Sequence, residues 1–219
     1  KSLYLRKKII NLSERSWRIS LGNIYVAIIH YPAYDKNHEI VATSLNNMEI
    51  HDIARSCMTF DIDLCYIVTP LPKQRQIMER LIHHWEHGYG ATYNPIRSKA
   101  LEKIKMCDNI KEMLNEISAA GAPLVVGTSS RPDNDKAIGY QEFKDLIHRE
   151  KRPVLLLFGT GWGLTESTVE LCDKMLLPVK GRGDYNHLSL RVALGIILDR
   201  IFGERGGKDE RNKDRKSVV

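Results

Sequence analysis

Residues 154–164 read VLLLFGTGWGL, from Val154 to Leu164. The first five residues are all apolar, which is typical of a short strand buried on both faces. The three glycines that follow let backbone amides and carbonyls approach a ligand closely. Thr165 is a suitable N-cap for a helix after this turn. A buried strand, a glycine-rich turn and a helix in succession indicate an α/β fold that binds a ligand at the turn.

The same alternation of apolar runs and helical stretches extends along the chain. It predicts strands at residues 24–29, 64–69, 124–128, 154–158 and 175–179. It predicts helices at residues 50–59, 73–87, 110–120, 140–149, 165–172 and 188–202, with Gly121 as the C-cap of the third. Short apolar strands separated by helices predict a parallel sheet of about five strands, covered by helices on both faces.

Composition and charge indicate the domain organisation. The chain has 219 residues, of which 42% are hydrophobic, so we expect one domain, at residues 24–202. No apolar run reaches about 18 residues, so no membrane span is expected. The net charge of +6 lies mostly at the ends, because residues 1–23 carry six Lys or Arg and one acid. We predict a flexible basic arm at residues 1–23, with a transit segment as the alternative, and a disordered charged tail at residues 203–219.

The cysteines indicate the redox environment of the protein. Cys57, Cys65, Cys107 and Cys172 contain no CxxC pair. This distribution favours buried thiols in a reducing compartment over disulfides or a structural zinc site. We therefore predict a cytoplasmic protein that holds no metal ion.

Three loops rich in small and polar residues follow predicted strands. They are residues 127–131 (GTSSR), 159–163 (GTGWG) and 178–183 (PVKGRG). Ligands of parallel sheets bind beyond the carboxyl ends of the strands, so we predict one composite pocket formed by these loops. The glycine pattern is GxGxG rather than GxGxxG, and the chain has no GxxxxGK[ST] motif. A dinucleotide site or a nucleoside triphosphate site is therefore disfavoured.

Two segments downstream of the glycine turn carry a family resemblance. Residues 176–181 (LLPVKG) end a strand, and residues 185–193 (YNHLSLRVA) start the last helix, with Asn186 or His187 as its expected N-cap. Together with residues 158–164 they resemble the C-terminal half of SPOUT methyltransferases. The resemblance implies a C-terminal deep trefoil knot that binds S-adenosyl-L-methionine. It also implies a homodimer, antiparallel or perpendicular, that methylates RNA, either tRNA or rRNA.

The N-terminal half carries the same resemblance. Residues 44–55 (SLNNMEIHDIAR) are similar to the asparagine-to-arginine segment of the 2′-O-methylating SPOUT branch. Residues 30–32 (HYP) and 88–95 (GYGATYNP) add a likeness to bacterial RNA methyltransferases related to the tRNA guanine-N1 enzymes. Glu49 and Ser189 stand where the 2′-O branch has asparagine. The resemblance therefore leaves open whether a base or a ribose is methylated.

In the SPOUT methyltransferases that this sequence resembles, the loops of the knot bind the cofactor. The resemblance implies that cofactor contacts are made largely by backbone atoms. The resemblance implies the following positions: Gly127, Thr128, Phe158, Gly159, Gly161, Gly163, Leu177, Val179, Gly181, Asn186, Leu188 and Ser189. Trp162 either joins this pocket or packs against the dimer partner.

Methyl transfer to a nucleophile that loses a proton benefits from a base within hydrogen-bond reach. The candidates are His51, Asp52, Asp184 and His187. Arg55 would anchor an RNA phosphate or orient the nucleophile. The alternative for Arg55 is a surface salt bridge with Asp52, and the alternative for Asp184 is a solvated turn.

A pair of tyrosines and the apolar stripe of the last helix each allow two interpretations. Tyr89 and Tyr93 flank a glycine turn, where they would stack on unpaired bases or close a loop over the core. The last helix carries an apolar stripe that would form either the dimer interface or monomer core. The stripe consists of Leu190, Leu194, Ile197, Leu198 and Ile201.

Three rival functions are compatible with parts of the sequence. Residues 83–87 (HHWEH) match the HxxEH pattern of inverted zinc proteases, with His83 and His87 as ligands and Glu86 as base. A polar helix end that stops at Gly88 explains the same residues, because histidines are favoured at a helix C-terminus. The second rival is a non-catalytic knotted dimer that binds RNA. The third is a methyltransferase of the same fold that acts on a small molecule.

Overall fold

The computed structural model describes residues 22–131 and 135–203, and a parallel sheet forms its centre. Its strands are β1 (Ile24–Ile29), β4 (Leu64–Val68), β5 (Ile104–Cys107), β6 (Leu124–Thr128), β7 (Ala137–Ile138), β8 (Val154–Gly159) and β9 (Lys174–Leu176). They lie in the order β5-β4-β1-β8-β6-β9-β7, and every neighbouring pair is parallel. Two short strands, β2 (Ala33–Tyr34) and β3 (Ile40–Val41), form a separate antiparallel hairpin after β1.

Helices connect the strands. They are α1 (Asn47–Thr59), α2 (Pro72–His87), α3 (Tyr89–Tyr93), α4 (Pro95–Leu101), α5 (Ile110–Ile117), α6 (Tyr140–Arg149), α7 (Glu166–Glu170) and α8 (Leu190–Phe202). A 3₁₀ turn (Ser118–Ala120) follows α5 and ends at Gly121, whose φ of +118° suits glycine, as predicted for this C-cap. None of the helices among the described residues is long and apolar enough to cross a membrane.

Side chains of β1 point alternately to two apolar layers. Val26 and Ile28 of β1 pack in one core cluster with residues of α1, α2, α4, α6 and α8. Ala27 and Ile29 pack in the second cluster with residues of α5. The prediction of a parallel sheet with helices on both faces is therefore confirmed. The four cysteines are free and buried, as predicted.

The sheet has two more strands than predicted, and both are edge strands. β5 alternates buried Ile104 with exposed Lys105, and β7 is two residues long, so neither produces a continuous apolar run. β9 is shorter than the predicted strand at residues 175–179. Leu177 still donates its backbone N–H to Ile138 O at 3.0 Å, and Pro178 then has no N–H to continue the ladder.

The N-terminal caps of three helices bear on the predicted helix starts. Asn46 caps α1 by accepting a hydrogen bond from Met48 N at 2.9 Å, so the helix begins earlier than expected. The N-cap of α8 is Ser189, which corrects the expectation of Asn186 or His187. Thr165 is the N-cap of α7 as predicted. Except for residues 22, 23 and 203, the predicted arm and tail lie outside the described residues.

Candidate functional site

The glycine loop, residues 159–164, continues from the carboxyl end of β8. β8 and β1 are neighbours in the sheet, with β4 and β5 beyond β1 on one side and β6, β9 and β7 beyond β8 on the other. A Cβ on Gly159 would lie 2.6 Å from Leu164 N, because the loop folds back on itself there. Gly161 has a φ of +58°, and a Cβ on it would lie 2.6 Å from Tyr34 O. Gly163 has a φ of +110°, but the space beside it is open. The first two glycines are therefore required by the loop itself, and the third leaves room for a ligand.

The hairpin segment after β1 holds the glycine loop from the other side. Trp162 N donates to Tyr34 O at 2.8 Å, and Tyr34 N donates to Gly163 O at 3.3 Å. The Tyr34 hydroxyl accepts a hydrogen bond from Glu166 N at 3.3 Å. The Trp162 side chain is 56% exposed, so it is not part of this packing. Backbone contacts with the hairpin segment thus determine the path of the glycine loop.

The serine loop, residues 127–131, follows β6 and has an internal reason for its glycine. A Cβ on Gly127 would collide with Met175 Sδ and lie 2.9 Å from Cys172 Sγ. The Thr128 hydroxyl donates to Leu157 O at 3.0 Å. Both side-chain positions therefore face the protein, and only backbone atoms of these residues remain for a ligand. The same holds for Phe158, whose ring is buried in the core.

The long loop, residues 177–189, is the most open of the three. Nothing lies within 4 Å of a Cβ built on Gly181, and Leu177 and Leu188 both expose apolar side chains. Val179 packs partly against the core. Asn186 Nδ2 donates to Ser130 O at 2.8 Å, which brings the long loop against the serine loop. Backbone groups beside open space and exposed leucines together suit a ligand with polar edges and an apolar body.

A second cluster lies between α1 and the first turn of α8. Arg191 donates to Asp52 Oδ2 at 2.8 Å, and the two residues are 139 positions apart in the chain. A groove of about 580 Å³ lies beside them. Its lining consists of Asp52, Arg55, Ser56, Thr59, Phe60, Arg191 and Val192. Asp52 therefore pairs with Arg191 and not with Arg55, its neighbour on the same helix.

Arg55 and Asp52 share this groove, whereas the remaining catalytic candidates lie elsewhere. His51 packs edge-on against Trp85, with ring centroids 5.4 Å apart. Burial, and then the charge of Arg97, lower the pKa of His51. Asp184 is exposed on the long loop.

Sequence reasoning missed the roles of Arg191, which lines this groove, and of its charged neighbour Glu49. Arg191 lies in the segment YNHLSLRVA, but no local pattern connects it with Asp52. Glu49 stands out in the sequence only as a departure from asparagine. Burial raises the pKa of Glu49, and the nearby charge of Arg191 opposes this shift. A carboxyl with a raised pKa close to an arginine is a further candidate base.

His30 stands at the end of β1 and is 1% exposed. Its Nδ1 lies 2.8 Å from Thr43 Oγ1, whereas its Nε2 has no partner among the described residues. Burial lowers the pKa of His30 from 6.5 to about 4. The imidazole is therefore neutral near pH 7, because protonation would bury a charge and an unpaired N–H.

The buried neutral His30 should make folding sensitive to acid. Between pH 6.5 and about pH 4 the unfolded chain binds a proton at His30 and the folded chain does not. The free energy of unfolding is therefore not reduced by His30 above pH 6.5. About 3 kcal/mol of it should be lost as the pH falls from 6.5 to about 4. Urea denaturation at pH 7 and pH 4 should show a steeper loss for the parent than for His30→Asn, which does not titrate. Parallel pH profiles would contradict this prediction.

Two pairs of stacked rings lie on the surface of α2 and α3. Tyr89 and Tyr93 are 74% and 72% exposed, and their rings stack with centroids 5.9 Å apart. They do not close a loop over the core.

The rings of His83 and His87 stack with centroids 4.9 Å apart on α2, which ends at His87. Among the described residues, no group of three or more His, Cys, Asp or Glu side chains is placed to hold a metal ion.

Comparison with known proteins identifies the family. A family model described as SAM-dependent RNA methyltransferase matches residues 23–203. The chain belongs to this family. The predicted membership in a family of RNA methyltransferases that depend on S-adenosylmethionine is thereby confirmed.

Relatives agree with this assignment, and a solved structure shares the fold. The tRNA (guanine-N(1)-)-methyltransferase of Oleidesulfovibrio alaskensis is 40% identical over 184 residues, which are 83% of this chain and 42% of that relative. The chain therefore spans less than half of that protein. An uncharacterised protein of Aquifex aeolicus is 36% identical over 82% of this chain and 88% of its own length. TrmJ from Z. mobilis has a similar fold, with a TM-score of 0.55 and 16% identity over 84% of this chain and 70% of that one.

Proposed function

We propose that this methyltransferase transfers a methyl group from S-adenosylmethionine to a base or ribose of tRNA or rRNA. The observation that carries the proposal is the glycine loop, whose backbone is shaped by Gly159 and Gly161 and is open at Gly163. Loops at the carboxyl ends of neighbouring parallel strands are where such sheets bind ligands. The matched Oleidesulfovibrio protein is more than twice the length of the matched region, so guanine N1 is one candidate target atom among several.

Three loops would hold the cofactor, with backbone groups of residues 127, 128, 158 and 159 on one side. Gly163 and Gly181 leave open space, and Leu177 and Leu188 offer apolar surface beside it. Gly161, Val179, Asn186 and Ser189 complete the predicted set. The sulfonium of the bound cofactor supplies an activated methyl group. The chain would mainly hold donor and acceptor in line.

The groove between α1 and α8 would receive the target nucleotide. Arg55 has an exposed guanidinium, and no carboxylate of the described residues forms a salt bridge with it. It would contact an RNA phosphate or the nucleophile. Asp52, held by Arg191, and the half-buried Glu49, which lies within reach of the charge of Arg191, are candidate bases. His51 and Asp184 remain candidates that would need to act from other positions, and Asp184 would do so from the long loop.

A homodimer is part of the proposal, with an interface different from the expected apolar stripe. Leu194, Ile197, Leu198 and Ile201 are buried in the monomer, which favours a core role for that stripe. The opposite face of α8 is more open, with Val192 48% exposed and nothing beside Gly195. This face borders the groove, so a second copy docked there would complete the target site.

The trefoil knot is likewise proposed. The long loop leaves β9, which lies outside β6, and leads to α8, which packs against α1 and β8. The bond from Asn186 to Ser130 supports a path of the long loop against the serine loop. The buried free cysteines support a reducing location such as the cytoplasm.

The Tyr89–Tyr93 pair is proposed to stack on unpaired bases of the RNA. A Tyr89→Ala, Tyr93→Ala double variant should bind RNA about 10- to 100-fold more weakly, because one base stack contributes about 1–3 kcal/mol. Its affinity for S-adenosylmethionine should be unchanged. Fluorescence anisotropy with labelled tRNA and calorimetric titration measure the two affinities. Tyr185→Ala, another tyrosine 79% exposed, serves as the comparison. Equal RNA affinity in parent and double variant would contradict the proposal.

Methylation of bulk RNA tests the proposed function. The protein is incubated with isotope-labelled S-adenosylmethionine and separate pools of tRNA and rRNA, and the nucleosides are analysed by mass spectrometry. We expect one methylated nucleoside in one pool. Cofactor binding and RNA binding without methyl transfer would instead favour the non-catalytic dimer. Cofactor binding without RNA binding would favour a small-molecule substrate, and absence of cofactor binding would overturn the proposal.

A further inference from the structure

A hydrogen-bonded chain of three side chains, the buried His30 and Thr160 and the half-buried Thr43, connects the end of β1 to the glycine loop. His30 Nδ1 lies 2.8 Å from Thr43 Oγ1, and Thr43 Oγ1 lies 2.6 Å from Thr160 Oγ1. The Thr160 hydroxyl in turn donates to Ile29 O at 2.8 Å. Thr160 is itself buried, and it stands between the two glycines that shape the loop. This hydrogen-bonded chain therefore begins at His30, directly after β1, passes through the glycine loop and returns to Ile29, the last residue of β1.

The hydrogen positions in this chain follow from its acceptors. Ile29 O can only accept, so the Thr160 hydroxyl donates to it and accepts from Thr43. Thr43 has then used its hydrogen, so it accepts from His30 Nδ1–H. The other acceptor near Thr43 is His30 O, which is more distant at 3.5 Å. A neutral imidazole with its hydrogen on Nδ1 satisfies every oxygen in the chain and leaves Nε2 as an unprotonated nitrogen.

The same segment fixes the loop at a second point. Thr43 N donates to His30 O at 2.9 Å, so the hydroxyl of Thr43 is held in place by its own backbone. Thr43 Cγ2 would lie 3.2 Å from a Cβ on Gly161. Together with the bond from Trp162 N to Tyr34 O, the hydroxyl chain leaves the loop little freedom to move away from β1.

We propose that His30, acting through Thr43 and Thr160, is a positioning residue that holds the glycine loop in its cofactor-binding shape. This inference rests on the proposed function, because it assumes that the glycine loop binds S-adenosylmethionine. His30 does not touch the cofactor in this arrangement. Its role is to supply the one N–H that completes the hydrogen-bond chain, which reduces the cost of ordering the loop when the cofactor binds.

Calorimetric titration with S-adenosylmethionine tests the chain one residue at a time. Thr43→Val, Thr160→Val and His30→Leu each remove one link and should raise the dissociation constant about tenfold. Thr43→Ser and Thr160→Ser keep the hydroxyl, and His30→Asn keeps an N–H near the position of Nδ1. These three variants should stay within about twofold of the parent. The His30→Leu, Thr160→Val double variant should be no weaker than the worse single variant, since both break one chain.

A matched control separates positioning from general loss of stability. Thr69 is 0% exposed and directly follows β4. It accepts a hydrogen bond from Leu71 N at 3.4 Å and has no hydrogen bond to the glycine loop among the described residues. Thr69→Val should lower the melting temperature but leave the dissociation constant unchanged. If Thr69→Val weakens binding as much as Thr160→Val does, or if His30→Leu binds like the parent, the inference is wrong.

A second readout does not depend on the cofactor. Trp162 lies on the glycine loop, so its indole N–H signal in a ¹H–¹⁵N spectrum reports the shape of the loop, with Trp162→Phe for assignment. The signal should shift or broaden in His30→Leu and Thr160→Val and stay in place in Thr69→Val. An unchanged signal in the first two variants would overturn the inference. A parent that keeps this pattern but fails to bind the cofactor would overturn the proposed function instead.

Discussion

Gly161→Ala is expected to weaken S-adenosylmethionine binding at least about 100-fold. A non-glycine residue at a φ of +58° is strained, at a cost on the order of 1–3 kcal/mol. The new Cβ would also lie 2.6 Å from Tyr34 O, a backbone atom that cannot turn aside. The loop would have to separate from the hairpin segment, and the bond from Trp162 N to Tyr34 O would be lost. Calorimetric titration of the purified variant measures the effect.

Two other glycines provide controls for this variant. Gly139 precedes α6, has a negative φ, and would bring its Cβ no closer than 4.0 Å to Leu177. Gly139→Ala should therefore bind the cofactor like the parent. Gly163→Ala carries the strain of a φ of +110° without a collision, so its effect should be intermediate unless the cofactor fills the open space. Binding by Gly161→Ala at parental affinity would show that the loop does not need this path.

The centre of the fold could be predicted from sequence, and its edges could not. β1, β6 and β8 are buried on both faces and therefore give continuous apolar runs that are easy to recognise. β5 and β7 are edge strands that pair on one side only, and their side chains are partly exposed. Periodicity measures burial, so a strand with little burial gives little signal.

The glycines illustrate a similar limit at the site. The sequence predicted a ligand-facing role for Gly127, Gly159, Gly161 and Gly163 without distinguishing among them. The structure gives the first three an internal reason, since each would collide with Met175, Leu164 or Tyr34 if it had a Cβ. Of these four glycines, only Gly163 faces open space. A glycine required by packing and a glycine required by a ligand are the same letter, and only the distances to neighbouring atoms separate them.

The candidates on α1 show why catalytic roles were harder to predict than the fold. On a helix of 3.6 residues per turn, Arg55 lies about 40° from His51 and about 60° from Asp52. Helical periodicity therefore could not decide which of the two would share its surface. Long-range packing decides it: Trp85 of α2 contacts His51, and Arg191 of α8 binds Asp52. Neither contact leaves a local trace in the sequence.

Arg55→Ala should lower kcat/KM for RNA methylation about 100- to 1000-fold, while the affinity for S-adenosylmethionine stays within about twofold. The guanidinium lines the groove between α1 and α8, and Asp52 does not neutralise it because Asp52 binds Arg191. A planar group with five donors is suited to hold a nucleophile or a phosphate in a fixed orientation. Initial rates with saturating cofactor and varied RNA concentration measure both kinetic constants.

The two roles left open for Arg55 predict different kinetics. If Arg55 orients the nucleophile, the turnover number falls and KM for RNA changes little, because the lost interaction belongs to the transition state. If it only anchors a phosphate, KM rises and the turnover number at saturation is preserved. Arg55→Lys keeps the charge without the planar fork, so it should restore activity only in the second case. Arg149→Ala, which removes an exposed arginine from the end of α6, should behave like the parent in either case. Parental values of both constants in Arg55→Ala would move the catalytic groove away from α1 altogether.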